Sequence, residues 1–413
     1  MPTRGQTVFL CTLALLVIGV LMVNSAGMTV RPVPDGVAGA DAVVQGGLLD
    51  IQAVITSRAS VYLVMAVLAM GFASLIPVAP LAERLVPKMH APIGYVCAGL
   101  FAGVVIMLAL LALVYVPGLG RSVNGSSRWI ALPVAGSMQP SEIAKWGMIL
   151  LMAWYAAALG PRLGRFFSGL LPAIAAVGVV SSFIVLEDLG TGVLIAAAAG
   201  VLLLAAGGRI IHFLIFVPVA AVGVLAAIIE SPYRVERVLS FLDPFADPKG
   251  SGYHMIQSMS TVAGGGVAGR GLGHGIQKFG YLPEDTTDFL FAVICEETGL
   301  VGAIAVISIY LIMGWALVGI VREQKRPALR AVAVGVLAMV LGQAMINLLV
   351  VTGLGPTKGI ALPLLSAGGT GWILTAASLG LVIAIDRASR RDRAAEATGT
   401  PVDLMGFAAA AGA

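Results

Sequence analysis

Residues 288–319 read DFLFAVICEETGLVGAIAVISIYLIMGWALVG, and this run decides the fold. It is long enough to cross a membrane, because about 20 apolar residues span the hydrocarbon core. An acid, Asp288, stands at its first position, where water meets hydrocarbon and an unpaired charge is costly. A carboxylate there can reach polar substrate groups, and partial desolvation makes it a stronger base. Asp288 is therefore the first candidate for a catalytic residue.

Composition assigns the chain to the integral membrane proteins. Of its 413 residues, 59% are hydrophobic and only 11% are charged, and the mean hydropathy is +0.98. Since no polar stretch is long enough for a separate soluble domain of ordinary size, we expect one membrane domain over residues 1–393. Residues 394–413 are expected to form a disordered cytoplasmic tail. The three cysteines lie far apart in apolar runs and predict neither a disulfide framework nor a thiolate metal site.

About ten apolar runs have membrane-spanning length, which predicts an all-α polytopic membrane protein. The runs are 8–28, 60–79, 93–116, 143–160, 168–186, 189–207, 210–229, 288–319, 328–352 and 362–386. External segments are expected at about 29–58 and 230–287, the second being a large loop between spans seven and eight. An even number of spans puts both termini on one side, and the excess of Lys and Arg in the loops of that side predicts that it is cytoplasmic. We interpret the first run as a retained helix and not as a cleaved signal peptide.

Polar residues gather at the predicted external ends of the spans. Pro140 starts a helix well, with Gln139 or a neighbour as its cap, and Glu142 and Lys145 then share one helical face. A local ion pair is one interpretation of these two charges. The other is that Lys145 partners an acid of another span or an anionic ligand. Asp188 is predicted to cap span six.

Span eight carries two further acids. Glu296 and Glu297 lie about 12 Å beyond Asp288 by the helical rise. We predict a structural role for them, as caps or as partners of Arg or Lys from neighbouring spans. The glycine-rich stretch 264–280 lacks the strand-turn-helix context of a nucleotide motif and predicts tight turns near the membrane instead. Without spaced carboxylates, the two histidines of this loop make only a weak metal site.

Taken in order, these and further motifs make the chain resemble the SEDS family (shape, elongation, division and sporulation), which includes FtsW, RodA and SpoVE. The matching residues are spread over about 8–390. They are Arg128-Trp129-Ile130, Gln139-Pro140-Ser141-Glu142 with Lys145, Asp188-Leu189-Gly190-Thr191, Tyr281-Leu282-Pro283-Glu284, Thr287-Asp288-Phe289, Glu296-Glu297-Thr298-Gly299, Pro356-Thr357-Lys358-Gly359, and Leu362-Pro363 with Ser366 and Gly368-Gly369. Gln277-Lys278 and the Pro-Thr-Lys-Gly turn are more similar to FtsW or SpoVE than to RodA. The chain departs from the family pattern at Thr286, where a His usually precedes Thr-Asp-Phe.

The resemblance implies a ten-span peptidoglycan glycosyltransferase that polymerises lipid II at the outer face of the bacterial cytoplasmic membrane, during cell division or growth. The essential acid of the family corresponds to Asp288. A class B penicillin-binding protein is the implied transpeptidase partner, and other division or elongation proteins are further partners. Nucleic acid is not expected as a partner. No organic cofactor is expected, and a divalent cation, Mg or Mn, is left open.

On this interpretation, Asp288 accepts the proton of the acceptor 4-hydroxyl as that hydroxyl attacks the anomeric carbon of the lipid-linked donor, with inversion. A lipid pyrophosphate leaves without help from a protein acid, and cations offset its charge. The candidate substrate-binding residues are Arg128, Lys145, Arg234, Arg237, Gln257, Ser258, Lys278, Glu284, Lys358 and Ser366. The candidate supporting residues are Trp129, Gln139, Pro140, Ser141, Glu142, Asp188, Glu296, Glu297 and Asn347.

Two other classes of function fit the same composition. A lipid II flippase would also have many spans and buried acids, but it predicts charges near the midplane and two related half-chains, and no internal repeat is evident. A non-catalytic scaffold that recruits the transpeptidase would tolerate Asn in place of Asp288.

Overall fold

The computed structural model describes residues 2–27, 51–86, 91–123, 126–132 and 136–398. Helices dominate these ranges, and each predicted apolar run overlaps one of them. The helices are α1 (Arg4–Ala26), α2 (Ile51–Ile55), α3 (Arg58–Leu75), α4 (Val78–Leu85), α5 (Ile93–Ala112), α6 (Pro140–Leu159), α7 (Leu171–Glu187), α8 (Leu189–Ala205), α9 (Ile210–Ile229), α10 (Pro232–Leu242), α11 (Tyr253–Gly264), α12 (Leu290–Glu323), α13 (Pro327–Val351) and α14 (Thr370–Thr398).

Within the described ranges, 9 helical segments are long and apolar enough to cross a membrane. The remaining predicted run, 189–207, forms the apolar helix α8, whose 17 residues extend about 25 Å. The predicted multi-span helical architecture is therefore confirmed. The predicted large loop 230–287 contains α10 and α11, and only part of the predicted segment 29–58 is described, where α2 lies. The predicted tail lies outside the described residues from 399 onward, and α14 continues past residue 393 to Thr398.

A small antiparallel sheet between α5 and α6 was not predicted. Its strands are β1 (Gly120–Val123), β2 (Ser126–Leu132) and β3 (Gly136–Met138), in the order β1-β2-β3. Ile130 pairs with Gly120 on one side and with Met138 on the other. The sheet leads directly into the first turn of α6.

The helix α13 lies at the centre of the bundle, where it packs against α6, α8, α12 and α14. In contrast, α9 lies at the edge, and the described parts of the chain bury none of its residues.

Both terminal helices meet at one end of the bundle. Arg4 of α1 forms an ion pair with Glu323 at the end of α12, and Arg393 of α14 pairs with the same carboxylate, with 2.8 Å between Nη2 and Oε2. The start of α1 and the end of α14 therefore share one side, as an even number of spans requires. We call the opposite end of the bundle, where α12 begins, the outer end.

The predicted span eight is not one continuous helix. Gly299 interrupts α12 with φ 68° and ψ −164°, so helical segments precede and follow it. The apolar run 288–319 gives no sign of this break, and Glu296 and Glu297 lie in the last turn before it.

The last span begins later than predicted. Residues 352–369 are non-helical, and α14 starts at Thr370 instead of near residue 362. Leu364 and Gly369 have positive φ values of 68° and 43°, which no right-handed helix accommodates. The Oγ of Ser366 accepts a hydrogen bond from the Leu362 amide at 2.9 Å and closes the turn between them. The chain therefore folds back at the outer end before it re-enters the bundle. We call residues 352–369 the outer turn.

Candidate active site

Asp288 lies just before α12, where the large loop meets the bundle, and its side chain is half-buried. Asn347 of α13 donates its side-chain amide to the backbone carbonyl of Asp288, with 2.8 Å between Nδ2 and O. The predicted supporting residue thus contacts the candidate base directly. The hydrogen bond fixes the backbone from which the carboxylate projects.

The outer turn packs beside this acid. The same Asn347 nitrogen donates to the carbonyl of Ile360 at 2.8 Å. Gly359 comes so close that a Cβ built on it would lie 3.2 Å from Oδ2 of Asp288. Its neighbour Lys358 is half-buried. The outer turn therefore places a lysine next in sequence to the residue that approaches the acid.

Lys358 also interacts with the start of α8. Burial lowers the pKa of Lys358 below its usual value of 10.5, and the carboxylate of Asp188 opposes this shift. Asp188 accepts hydrogen bonds from the amide of Thr191 at 3.0 Å and from its hydroxyl at 2.9 Å. The predicted N-cap of span six is therefore confirmed, and the capping carboxylate also acts electrostatically on Lys358.

The helices α10 and α11 bring further polar groups to this region. Arg237 of α10 donates from Nη1 to the carbonyl of Thr357 at 3.1 Å. Burial and the charge of Arg237 lower the pKa of His254 on α11, while Glu284 opposes the shift. The ring of His254 lies 6.3 Å from that of Phe289, the residue after the acid. We call five of these residues the outer cluster: Asp288, Lys358, Arg237, His254 and Glu284.

A second polar group lies inside the bundle on α6. Nζ of Lys145 lies 2.7 Å from Oε2 of Glu142 and donates to Oε1 of Gln343 at 3.1 Å. The local ion pair is therefore present, and Lys145 is almost fully buried. Gln139 precedes α6 as expected, but its side chain makes no capping hydrogen bond within the described part of the chain. Ser141 is buried beside it, and its Oγ has no hydrogen-bond partner among the described residues.

Lys278 was predicted to bind substrate, and the structure places it elsewhere. Its ammonium is buried in an ion pair with Glu297 at 2.8 Å between Nζ and Oε1. Arg270 approaches Glu296 at 3.6 Å. The two acids therefore pair with cations as predicted, but the cations come from the large loop and not from neighbouring spans. Because Lys278 is enclosed, it does not face the outer cluster.

Three other predicted substrate-binding residues bind the protein's own backbone. Arg234 donates from Nη2 to the carbonyls of Val185 and Leu186, at 2.7 and 3.0 Å. Ser258 is fully buried and donates to the carbonyl of Val351 at 2.8 Å. Ser366 is buried within the outer turn. These contacts position α10, α11 and the outer turn.

Glu284 is exposed and has a positive φ of 54°, a conformation that strains a residue with a side chain. Its Oε2 accepts a hydrogen bond from the Thr287 hydroxyl at 2.9 Å. Gln257 is half-buried on α11, and Trp129 is half-buried in β2. The predicted residue Arg128 also belongs to β2, but its side chain lies outside the described part of the structure.

The described ranges contain no cluster of side chains that could hold a resident metal ion. No three His, Cys, Asp or Glu side chains come together there in a way that could hold one.

Sequence reasoning missed several residues that shape this region. Gln343 links Lys145 to the outer turn, because its Nε2 donates to the carbonyl of Ala361 at 2.8 Å. A polar residue in the middle of the apolar span α13 was the signal that could have identified it. No feature of the sequence indicates that Gly359 lies close to Asp288.

The chain is similar to proteins of one family. Residues 6–391 match the model of the cell cycle proteins FtsW, RodA and SpoVE. Stage V sporulation protein E of Bacillus subtilis (strain 168) is 40% identical over 291 residues, which cover 69% of this chain and 78% of that protein. The probable peptidoglycan glycosyltransferase FtsW of Halomonas elongata is 39% identical over 300 residues, which cover 71% of this chain and 75% of that protein.

Solved structures share the fold. A chain from a study of how a peptidoglycan synthase complex coordinates polymerization and crosslinking superposes with a TM-score of 0.64 and 26% identity, covering 92% of this chain and 97% of that one. A variant of the rod shape determining protein RodA of Thermus thermophilus superposes with a TM-score of 0.59 and 22% identity, covering 92% and 96%. The second likeness concerns the fold alone.

Proposed function

Because the chain belongs to the cell cycle protein family of FtsW, RodA and SpoVE, we propose that it is a peptidoglycan glycosyltransferase that extends glycan strands from lipid II. The relatives that carry the name FtsW support the enzyme class. The similarity of this chain to the FtsW proteins and to the sporulation protein favours a role in division or in a related growth process.

The observation that carries the proposal is the setting of Asp288. Its side chain is half-buried at the outer end, its backbone is held by Asn347, and Gly359 packs closely against it. A half-buried carboxylate at the end of a membrane helix is suited to act as a general base toward a sugar hydroxyl.

The reaction needs one base. Asp288 accepts the proton of the acceptor 4-hydroxyl while the oxygen forms a bond to the anomeric carbon of the donor. The bond from that carbon to the pyrophosphate oxygen breaks, and the lipid pyrophosphate departs with the bonding electrons. Attack from the face opposite the leaving group inverts the configuration at the anomeric carbon.

Lys358 is the cation best placed to offset the charge of the leaving pyrophosphate. It adjoins Gly359, which contacts the acid, whereas Lys145 is enclosed in its ion pair with Glu142. Arg237 is the second candidate, because it binds the outer turn at Thr357 and its guanidinium has further donors. The divalent cation stays a proposal without support from the described side chains, which form no three-ligand cluster.

The chain is a multi-pass membrane protein, and we place it in the bacterial cytoplasmic membrane with both termini in the cytoplasm. The shared end of α1 and α14 supports one side for both termini. A class B penicillin-binding protein is the proposed partner. The likeness to a chain of a complex that couples polymerization to crosslinking supports this choice.

The test is product analysis with the purified chain and lipid II in detergent, with and without the transpeptidase. We expect glycan polymer from the wild type and none from Asp288→Ala. A flippase has no bilayer to cross in detergent and would leave lipid II unchanged, so the absence of polymer from the wild type under both conditions would refute the proposal.

A further inference from the structure

The break in α12 is filled by the glycine-rich part of the large loop. The amides of Arg270 and Gly271 donate to the carbonyls of Glu296 and Glu297, at 3.0 and 2.9 Å, just before the break. After the break, the amide of Leu300 donates to the carbonyl of Gly266 at 3.0 Å. The loop thus satisfies backbone groups that a broken membrane helix would otherwise leave without partners.

This contact requires glycine on both sides. A Cβ on Gly299 would lie 2.4 Å from the amide nitrogen of Gly269, and a Cβ on Gly269 would lie 2.3 Å from the carbonyl oxygen of Glu297. Both glycines also have positive φ values. The two backbones therefore approach more closely than any side chain permits, and the loop is held in one register against α12.

A buried ion pair fastens the same loop. The side chains of Lys278 and Glu297 are both 0% exposed, and Lys278 also donates to Oγ of Ser25 at 3.1 Å. Ser25 donates to Glu297 at 2.7 Å, and the amide of Gly273 donates to Oε2 of Glu297 at 3.0 Å. Ser25 belongs to the last turn of α1, so three parts of the chain meet here. We call Ser25, Lys278 and Glu297 the loop lock.

The segment that follows Lys278 leads directly to Asp288 through consecutive turns. The amide of Leu282 donates to the carbonyl of Gln277 at 2.8 Å, and the amides of Thr287 and Phe289 both donate to that of Glu284, at 3.1 and 3.2 Å. Two successive turns, 277–282 and 284–289, therefore connect the loop lock to the acid. The loop lock fixes the first end of this segment, and Asn347 fixes the end at the acid.

We propose that Lys278 and Glu297 are positioning residues for Asp288, which act by holding the segment 279–288 in place from the loop lock. The inference rests on the proposed function of Asp288 as the base. Neither side chain faces the outer cluster, so their effect is on geometry. Misplacing a reacting group by about 1 Å can cost about 100-fold in rate.

The first test is the variant Lys278→Met, which leaves the Glu297 carboxylate buried without its cation. We expect kcat for polymerisation to fall by about 100-fold while KM for lipid II stays within about twofold. Hydrogen exchange at the amides of Leu282, Thr287 and Phe289 should accelerate by about tenfold, because the turns lose their anchor. This second readout does not depend on activity.

A double variant separates positioning from stability. Lys278→Met combined with Glu297→Gln removes both charges and keeps an acceptor oxygen for the Gly273 amide. Since replacing a buried ion pair by neutral groups is often tolerated, Tm should return toward the wild-type value. We expect kcat to remain low, because the ion pair no longer fixes the loop.

The matched control is Asp386→Asn at the other end of the bundle. Asp386 is 2% exposed, pairs with Arg390 at 3.1 Å and accepts a hydrogen bond from the Gly5 amide at 3.1 Å. Its loss should lower Tm without changing kcat per folded molecule. Recovery of kcat together with Tm in the double variant, or unchanged exchange over 279–288 in Lys278→Met, would refute the positioning role. A wild type that makes no polymer would instead refute the proposed function, and the exchange measurement would still decide the role of the lock.

Discussion

Asn347 ties the Asp288 backbone to the outer turn through one nitrogen, which donates to the carbonyls of Asp288 and Ile360 at 2.8 Å each. This nitrogen lies on α13, the helix at the centre of the bundle. The backbone of the candidate base is thereby held by the helix at the centre of the bundle. Lys358 is held close by, because it lies two residues before Ile360.

Replacing Asn347 by Leu should reduce both stability and activity. The substitution leaves two carbonyls without their donor, and a buried unsatisfied group costs about 1–3 kcal/mol. We expect a lower Tm and a lower kcat per folded molecule in a lipid II polymerisation assay. The control is Asn24→Leu on α1, where the amide donates to the Val20 carbonyl at 2.7 Å and to Ser57 Oγ at 3.1 Å. If the two variants lost activity only in proportion to folded protein, the special role of Asn347 would be excluded.

Asp288→Asn keeps the shape of the acid and removes its basicity. A general base contributes about 100- to 10,000-fold to the rate, and we expect kcat to fall by that amount. The neighbouring Asp285 offers a control in the same segment. Burial raises its pKa above the usual 3.8, yet it has no place in the proposed mechanism. Asp285→Asn should retain polymerase activity. Near wild-type growth of cells that carry only Asp288→Asn would favour a scaffold over an enzyme.

Gly359→Ala tests the close approach of the outer turn to the acid. The added Cβ would lie 3.2 Å from Oδ2 of Asp288, which is tighter than an ordinary contact, and no positive φ adds backbone strain. We expect kcat to fall while Tm changes little. Gly178→Ala on α7 is the control, because a Cβ there meets nothing within 4 Å. Equal activity of the two variants would show that this approach is unimportant for the reaction.

The fold was largely predictable because apolar runs report membrane spans directly. The run 288–319 gave the correct position of α12, but its length concealed the break at Gly299. The break is stabilised by a loop about 30 residues earlier in the sequence, and such a contact leaves no trace in local hydropathy. For the same reason, the run 362–386 was assigned to one span although the outer turn occupies its first eight residues.

The sequence predicted which residues form the candidate site better than it predicted their arrangement in space. Asp288, Asn347 and Lys358 were identified from their polarity at the ends of apolar runs, and the structure brings them together. Lys278 was misassigned because a lysine in an external loop is usually solvated. Its partner Glu297 is 19 positions away in an apolar run, so the sequence alone could not pair them.

Lys358 should set the alkaline limit of activity. Burial lowers its pKa below 10.5, so the ammonium loses its proton at a lower pH than a free lysine does. If the ammonium stabilises the leaving pyrophosphate, kcat declines as the pH rises through the lowered pKa of Lys358. Lys358→Arg should move the decline to higher pH, since a guanidinium stays charged. Asp188→Asn should move it to lower pH, because the opposing carboxylate charge is lost while Asn still caps α8. An alkaline limb that is identical in all three proteins would contradict this role.

His254 should make stability depend on pH on the acidic side. Burial and the charge of Arg237 lower its folded pKa below the usual 6.5, and Glu284 only partly opposes them. Between the folded pKa of His254 and 6.5, this histidine binds more protons in the unfolded chain than in the folded protein. The free energy of unfolding therefore rises with pH through this window. The contribution of His254 to stability is complete above about 6.5 and is lost as the pH falls through its folded pKa. Tm of wild type should therefore decline on acidification, whereas His254→Gln should flatten the decline.

Glu284→Gln removes the charge that opposes the shift of the His254 pKa and should widen the window toward lower pH. A wild-type profile in His254→Gln would exclude His254 as the group that titrates.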